Sequence, residues 1–313
     1  MYYPFLRARQ FELIALRELA THQLSQKFIR PIFEPVKGST NNLKIANKIF
    51  NETNQTSYLI LNPNVGELKD KGQDCINFYR SLGQTKFIPA FHFINNGDYI
   101  IKCIESNKIK NCLIVCQSEI NSDDKGFRKL VERKEVSCIS VESPDRNRSL
   151  NRYIKKLEKP YLRFDDFFEK QARNSNYLDI SEHRFSEEHI YYKEEGFSGF
   201  SDYTVLSSEF VNGGSTPLAV VIHLTYLKDN NQIWIRHFTS STNDSIANVQ
   251  GKFAEAAEKA VKFCSDNGLE NLAIKELEEY FDTSHYPGLG TVKKIAMKNH
   301  ILVVNQFLSE NNI

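Results

Sequence analysis

From residue 29 onward the chain repeats one pattern, a short apolar run of strand character followed by a longer segment with apolar positions at helical spacing. The runs are FIRPIFEPV, SYLILN, KFIPAFHF, NCLIVCQ, VSCISVE and PYLRFDD, and helical stretches follow the first five at about 40–53, 73–82, 97–107, 122–134 and 146–158. The repeat is about 25 residues, one βα unit, and strands that alternate with helices pair in parallel within an α/β architecture. Ahead of the first run, residues 8–24 place Phe11, Ile14, Ala15, Leu16 and Leu19 at helical intervals, giving a helix that can close a barrel floor or flank a sheet.

After PYLRFDD the pattern changes to a polar, aromatic-rich insertion at about 167–200, too long for an ordinary connection and of the kind that forms functional lids or stays disordered. Its aromatics, among them Phe168, Tyr177, Tyr191, Tyr192 and Phe197, would mark an interface if they clustered in solvent. YTVLSS and PLAVVIHL then read as two more strands, and the second continues through a turn at Lys228–Asn231 into QIWIRHFTS. With Asp229 and Asn230 at the tip, His223 would face Arg236 and Thr225 would face Trp234, leaving His237 on the greasier side. Helical segments at about 246–266, 271–282 and 291–308 finish the chain. Six early strands plus these two predict a distorted (β/α)8, TIM-barrel-like fold as a single domain over 1–313, with a β-hairpin at strand eight and C-terminal helices. An open α/β sheet is the alternative.

Composition narrows the function classes. With 40 Lys+Arg against 39 Asp+Glu, the net charge of +1 provides no overall basic field, so direct nucleic-acid binding is not expected without a local patch. The start MYYPFLRARQ lacks a signal-peptide apolar core, and no apolar stretch nears the length of a membrane span, which predicts a cytoplasmic protein without a membrane partner. Cys112 and Cys116 lie inside a strand-like run with no second Cys/His pair at zinc spacing, so all six cysteines read as buried thiols. The patterns G-x-x-x-x-G-K-[ST], G-x-G-x-x-G after a strand, H-E-x-x-H and G-x-S-x-G are all missing, and SHYPGLGTVKK at 284–294 is either a phosphate cradle or a Pro/Gly turn into the final helix.

Ligands of parallel α/β folds bind at the carboxyl ends of the strands, which directs attention to the polar residues that close each run. They include Glu34 and Lys37, Asn62 and Asn64, His92, Glu119, Glu142, then Arg163, Asp165 and Asp166, Asp202 with Tyr203, and His223. A strand that simply returns to solvent produces the same enrichment. Glu34 stands apart because its strand continues into Pro35 and Val36, and a carboxylate inside such a run must be paired or used. In an enzyme reading Glu34 is a ligand or general base and His223 an acid. Arg163 and Arg236 are then anion clamps, and Lys37, Asn62, His92, Glu142, Asp165, Asp202 and Tyr203 line the ligand site. Glu34, Glu142, Asp165 and Asp166 could collect a divalent cation for phosphodiester or nucleotide hydrolysis.

The opening segment holds Tyr3, Pro4, Leu6, Arg7 and Arg9, then Glu12, Ala15 and Leu16, then Pro31, Ile32, Phe33 and Glu34. In these positions, and in FSDYTV at 200–205, the chain resembles the phage "beta" protein family of phages, satellite phages and bacterial defence islands. Ser201 stands where that family commonly has Gly. The resemblance implies a component of an anti-phage or toxin–antitoxin-type cassette that acts by binding a partner protein, nuclease-like or toxic, encoded nearby.

Overall fold

The computed structural model describes residues 1–213 and 217–311. The parallel repeat is present, and it begins one strand earlier than the apolar runs suggest. The elements are β1 (Phe5–Leu6), α1 (Gln10–Thr21), β2 (Ile32–Phe33), α2 (Asn41–Glu52), β3 (Ser57–Ile60), α3 (Gly72–Ser81), β4 (Phe87–His92) and α4 (Gly97–Ser106). There follow β5 (Cys112–Cys116), α5 (Lys125–Val131), β6 (Val136–Glu142), α6 (Arg148–Lys155), β7 (Tyr161–Asp165), β8 (Glu182–Ser186), α7 (Glu188–Tyr191) and β9 (Gly199–Asp202). The chain ends with β10 (Val221–Leu227), β11 (Ile233–Thr239), α8 (Val249–Asp266), α9 (Leu272–Asp282) and α10 (Leu289–Glu310).

Eight strands pair in parallel in the order β1-β2-β3-β4-β5-β6-β7-β9. The ring closes where Tyr2 bridges Phe200, with Tyr3 N–H donating to the Phe200 carbonyl at 2.8 Å and Phe200 N–H to the Met1 carbonyl at 3.1 Å. This is a (β/α)8 barrel, distorted by its two-residue first strands and by the β8 and α7 excursion before the last strand. Gly199 makes the seam possible: a Cβ there would stand 2.6 Å from Tyr3 Cε2 and 2.7 Å from the Met1 carbonyl oxygen.

Two assignments are corrected. YTVLSS is a turn segment that follows the eighth barrel strand, and PLAVVIHL contributes β10 to a separate antiparallel sheet ordered β10-β11-β8. The hairpin therefore belongs to that second sheet. The insertion is neither lid nor unstructured: it supplies β8, α7 and the 3-10 turn Asn174–Leu178. Its aromatics are mostly buried, with Tyr177, Tyr192 and Phe197 in the core and only Tyr191 substantially exposed.

The hairpin register also differs by one residue. Three residues, Asp229, Asn230 and Asn231, turn the chain; Asn231 takes the left-handed conformation at φ 63°, which asparagine tolerates. Leu227 then pairs with Ile233 and His223 with His237, so every side chain on the second strand changes face relative to a two-residue turn. On the other side of the barrel wall, Asp202 of β9 accepts from Tyr2 Oη at 2.6 Å and lies 3.4 Å from His300 Nε2 on α10. His300 Nδ1 is 3.2 Å from Thr225 Oγ1, so one buried polar chain ties barrel, helix and hairpin together.

Two apolar compartments result. The barrel lumen holds Phe5, Ile32, Tyr58, Ile60, Ala90, Leu113, Val115, Leu162, Phe164 and Tyr203, while a larger layer between barrel, helices and second sheet holds the rest. All six cysteines are buried and reduced. No helix among the described residues is long and apolar enough to cross a membrane.

Candidate active site at the barrel mouth

Alternation along each strand decides which polar residues reach the lumen. Phe5, Ile32, Ile60, Ala90 and Val115 face inward, so two residues further on, at the carboxyl ends of their strands, Arg7, Glu34, Asn62, His92 and Gln117 rise from the same face. Glu142 and Tyr203 complete the ring from β6 and the end of β9. Five sequence-predicted residues thus meet here: Glu34, Asn62, His92, Glu142 and Tyr203.

Glu34 is the hub. Its side chain is fully buried, and it forms a salt bridge with Arg7 through one oxygen. The other oxygen accepts from the backbone N–H of Asn64 at 2.7 Å and lies 3.1 Å from His92 Nε2. Burial raises the carboxyl's proton affinity, but the His92 hydrogen bond, the Arg7 charge and the Asn64 N–H outweigh it and hold the group below the usual carboxylate range. Glu34 is therefore ionised. Asn62 fixes the histidine's backbone from both sides, donating to the His92 carbonyl and accepting from its N–H, each at 2.8 Å. His92 is 1% exposed, its ring packs against Phe5, and its Nδ1 is buried with no hydrogen-bond partner.

Across the mouth, Gln117 donates to Tyr203 Oη at 2.5 Å, and Tyr203 donates to Glu142 at 3.1 Å. Burial pushes the Glu142 carboxyl above its ordinary range; the charges of Asp166 and Asp165 add to this, while the Tyr203 hydrogen bond opposes it. Arg7 lies over the Phe5 and Tyr203 rings and donates to the Ser208 carbonyl at 2.8 Å, which ties the segment after β9 to the rim.

The other predicted residues lie elsewhere, for reasons of parity or register. Arg163 and Asp165 point out of the β7 wall, where Arg163 meets Asp165, Asp145, Glu188 and Glu195 at 2.7–3.0 Å. Asp202 also faces outward, into the polar chain with Tyr2 and His300. Lys37 sits on the exposed rim, paired with Glu67 at 2.7 Å. Arg236, on the second sheet, lies over Phe263 and is 3.6 Å from Glu182.

His223 is removed from the mouth altogether. Its Nδ1 is 2.6 Å from His237 Nδ1, and His237 Nε2 is 3.2 Å from His183 Nε2, whose ring ends the chain 3.0 Å from the Arg184 carbonyl. Phe168 and Tyr177 enclose the rings. The carbonyl fixes the direction of the row: His183 Nδ1 donates to Arg184, His237 Nε2 donates to His183, and His223 Nδ1 donates to His237. Burial pulls His223 far below the ordinary histidine range and His237 down to about 3, and the neighbouring imidazoles act in the same direction.

Among the described residues no three His, Cys, Asp or Glu side chains are arranged to hold a metal ion. The cation expected on Glu34, Glu142, Asp165 and Asp166 therefore lacks a ligand set, since Asp165 faces out of the wall and Glu34 is engaged by Arg7 and His92. Arg7 and Gln117 were not among the predicted site residues, although the parity of Phe5 and Val115 selects both. In comparisons with known proteins, no family model matches the chain and no curated protein is significantly similar to it.

Proposed function

We propose that the protein is an enzyme whose barrel mouth performs acid–base chemistry on a small polar substrate, with His92 as base and Glu142 as acid. The observation that carries this reading is the buried, unpartnered Nδ1 of the His92 ring. In the neutral ring this reading assigns to His92, the Glu34 carboxylate holds the proton on Nε2 and Nδ1 is the lone-pair acceptor, buried and unpartnered inside the lumen. A buried acceptor without a partner costs about 1–3 kcal/mol, a penalty the fold has reason to keep where a substrate supplies the proton. Glu34 and Glu142 support the same division of roles, because their surroundings move the two carboxyls in opposite directions. In a hydrolytic turn, His92 Nδ1 takes the proton of the attacking water while the Glu142 carboxyl protonates the leaving oxygen; Arg7 and Asn62 hold Glu34 and His92 in place.

Purified protein incubated with mixed phosphate esters, nucleotides and carboxylate esters, followed by mass spectrometry, tests this. Turnover by the wild type should fall by about 100-fold or more in His92→Gln. Equal turnover by both proteins, or none by either, overturns the reading.

The partner-binding role implied by the phage "beta" resemblance is a second reading, favoured by Leu178 and Leu218, which are 54% and 43% exposed on segments joined by the Asn174–Ala219 hydrogen bond. Co-expression with the neighbouring gene product should yield one co-migrating species in size-exclusion chromatography. Two species that always migrate independently would reject it.

A further inference from the structure

A cleft of about 360 Å³ opens beside the mouth, between the first turn of α1, the start of α2 and the two loops that carry Lys37 and Glu67. The chain reaches it through Ala8, which takes φ 48° and so aims the arginines on its two sides differently: Arg7 into the lumen, Arg9 onto the cleft wall. The floor is apolar, formed by Phe11 and Leu43 with Leu13 and Ala8. The rim carries Arg9 and Lys37, with Asn42 beside them. Arg9 lies over the Phe210 ring and donates through Nη2 to the Val211 carbonyl, while its Nε is shielded from solvent without a partner.

We propose that this cleft binds a nucleoside monophosphate, with the phosphate on the Lys37 and Arg9 side and the base on the Phe11–Leu43 floor. The strongest sign is what Glu67 does there. Its two carboxylate oxygens accept from Lys37 Nζ at 2.7 Å and from the Gly38 backbone N–H at 2.9 Å, so an ammonium and a main-chain amide already converge on one anion. That anion is an exposed side chain, with Lys37 and Glu67 each about half accessible, and a phosphate oxygen offers the same donors a better acceptor. The cleft volume lies within the range of ordinary small-molecule sites, and an apolar floor under a rim carrying Arg9 and Lys37 matches a ligand with a ring at one end and a phosphate at the other. Binding here does not depend on the chemistry proposed for the mouth, and its failure would leave that reading untouched.

Calorimetric titration with the four common nucleoside monophosphates, inorganic phosphate and adenosine tests it on the full chain. At least one monophosphate should bind saturably and more tightly than phosphate or adenosine. Lys37→Gln should weaken that binding about tenfold or more, whereas Glu67→Gln, which removes the competing carboxylate, should strengthen it. Both residues are on the exposed rim, so neither substitution should move the denaturation midpoint. No saturable binding at millimolar concentration, adenosine equal to every monophosphate, or affinity unchanged in both variants overturns the proposal.

Discussion

Glu34→Ala should cost the fold about 3–5 kcal/mol, read as a lowered urea midpoint at unchanged slope. The carboxylate is fully buried, and its removal leaves three donors without their acceptor: the Arg7 guanidinium, the Asn64 amide and His92 Nε2. Arg7 keeps its charge and its bond to the Ser208 carbonyl, but it becomes a cation in the lumen with no counter-ion. Glu34→Gln should cost less, because one amide oxygen still accepts a hydrogen bond. Replacing both partners, as in Arg7→Met with Glu34→Leu, should recover much of the loss, since a buried pair exchanged for apolar groups of similar volume is often close to neutral. An alanine variant within about 0.5 kcal/mol of the wild type would mean that the carboxylate is solvated and the pairing adds nothing.

The same residue shows how far the sequence could be read. A carboxylate inside FIRPIFEPV signalled a paired group at a strand end, and the alternation of apolar runs with helical segments was enough for a parallel barrel. The first strand escaped because it is two residues of regular pairing beside Pro4, and much of its binding to the sheet comes from single bridges at Tyr2. The eighth escaped because GFSD is poor in apolar residues: its lumen-facing positions are Gly199 and Ser201, and Gly199 has no side chain because Tyr3 and the Met1 backbone lie against it. Both omissions are failures of apolar content as a strand signal where packing demands small or few residues. Site residues were lost for another reason. Strand ends are polar on both faces, and only every second residue enters the lumen, so Arg163, Asp165 and Asp202 satisfied the composition and failed the parity. A register error had the same effect on the hairpin, where one extra turn residue brought His237 onto the face of His223.

That three-histidine row gives the fold a distinct acid response. Native His237, held near 3 by burial and by His183, binds almost no proton between pH 7 and pH 5, whereas an unfolded histidine near 6.5 takes up most of one. The unfolded state therefore binds more protons, and stability falls as pH drops from about 7 toward 3; over the upper two units this one ring accounts for about 2 kcal/mol. Glu188, raised to about 7 mainly by burial, works in the opposite sense, because the native state takes up its proton first and gains stability over the same interval. Absolute acid stability is thus a balance, and a difference between proteins isolates the ring. His237→Gln keeps a donor and an acceptor between His223 and His183 but does not titrate. Its urea stability should fall by about 2 kcal/mol less than that of the wild type on going from pH 7 to pH 5, with the Glu188 contribution common to both. Parallel losses in the two proteins would show that His237 carries an extra proton in the native state, and that the row has a charged ring at its centre rather than a neutral one.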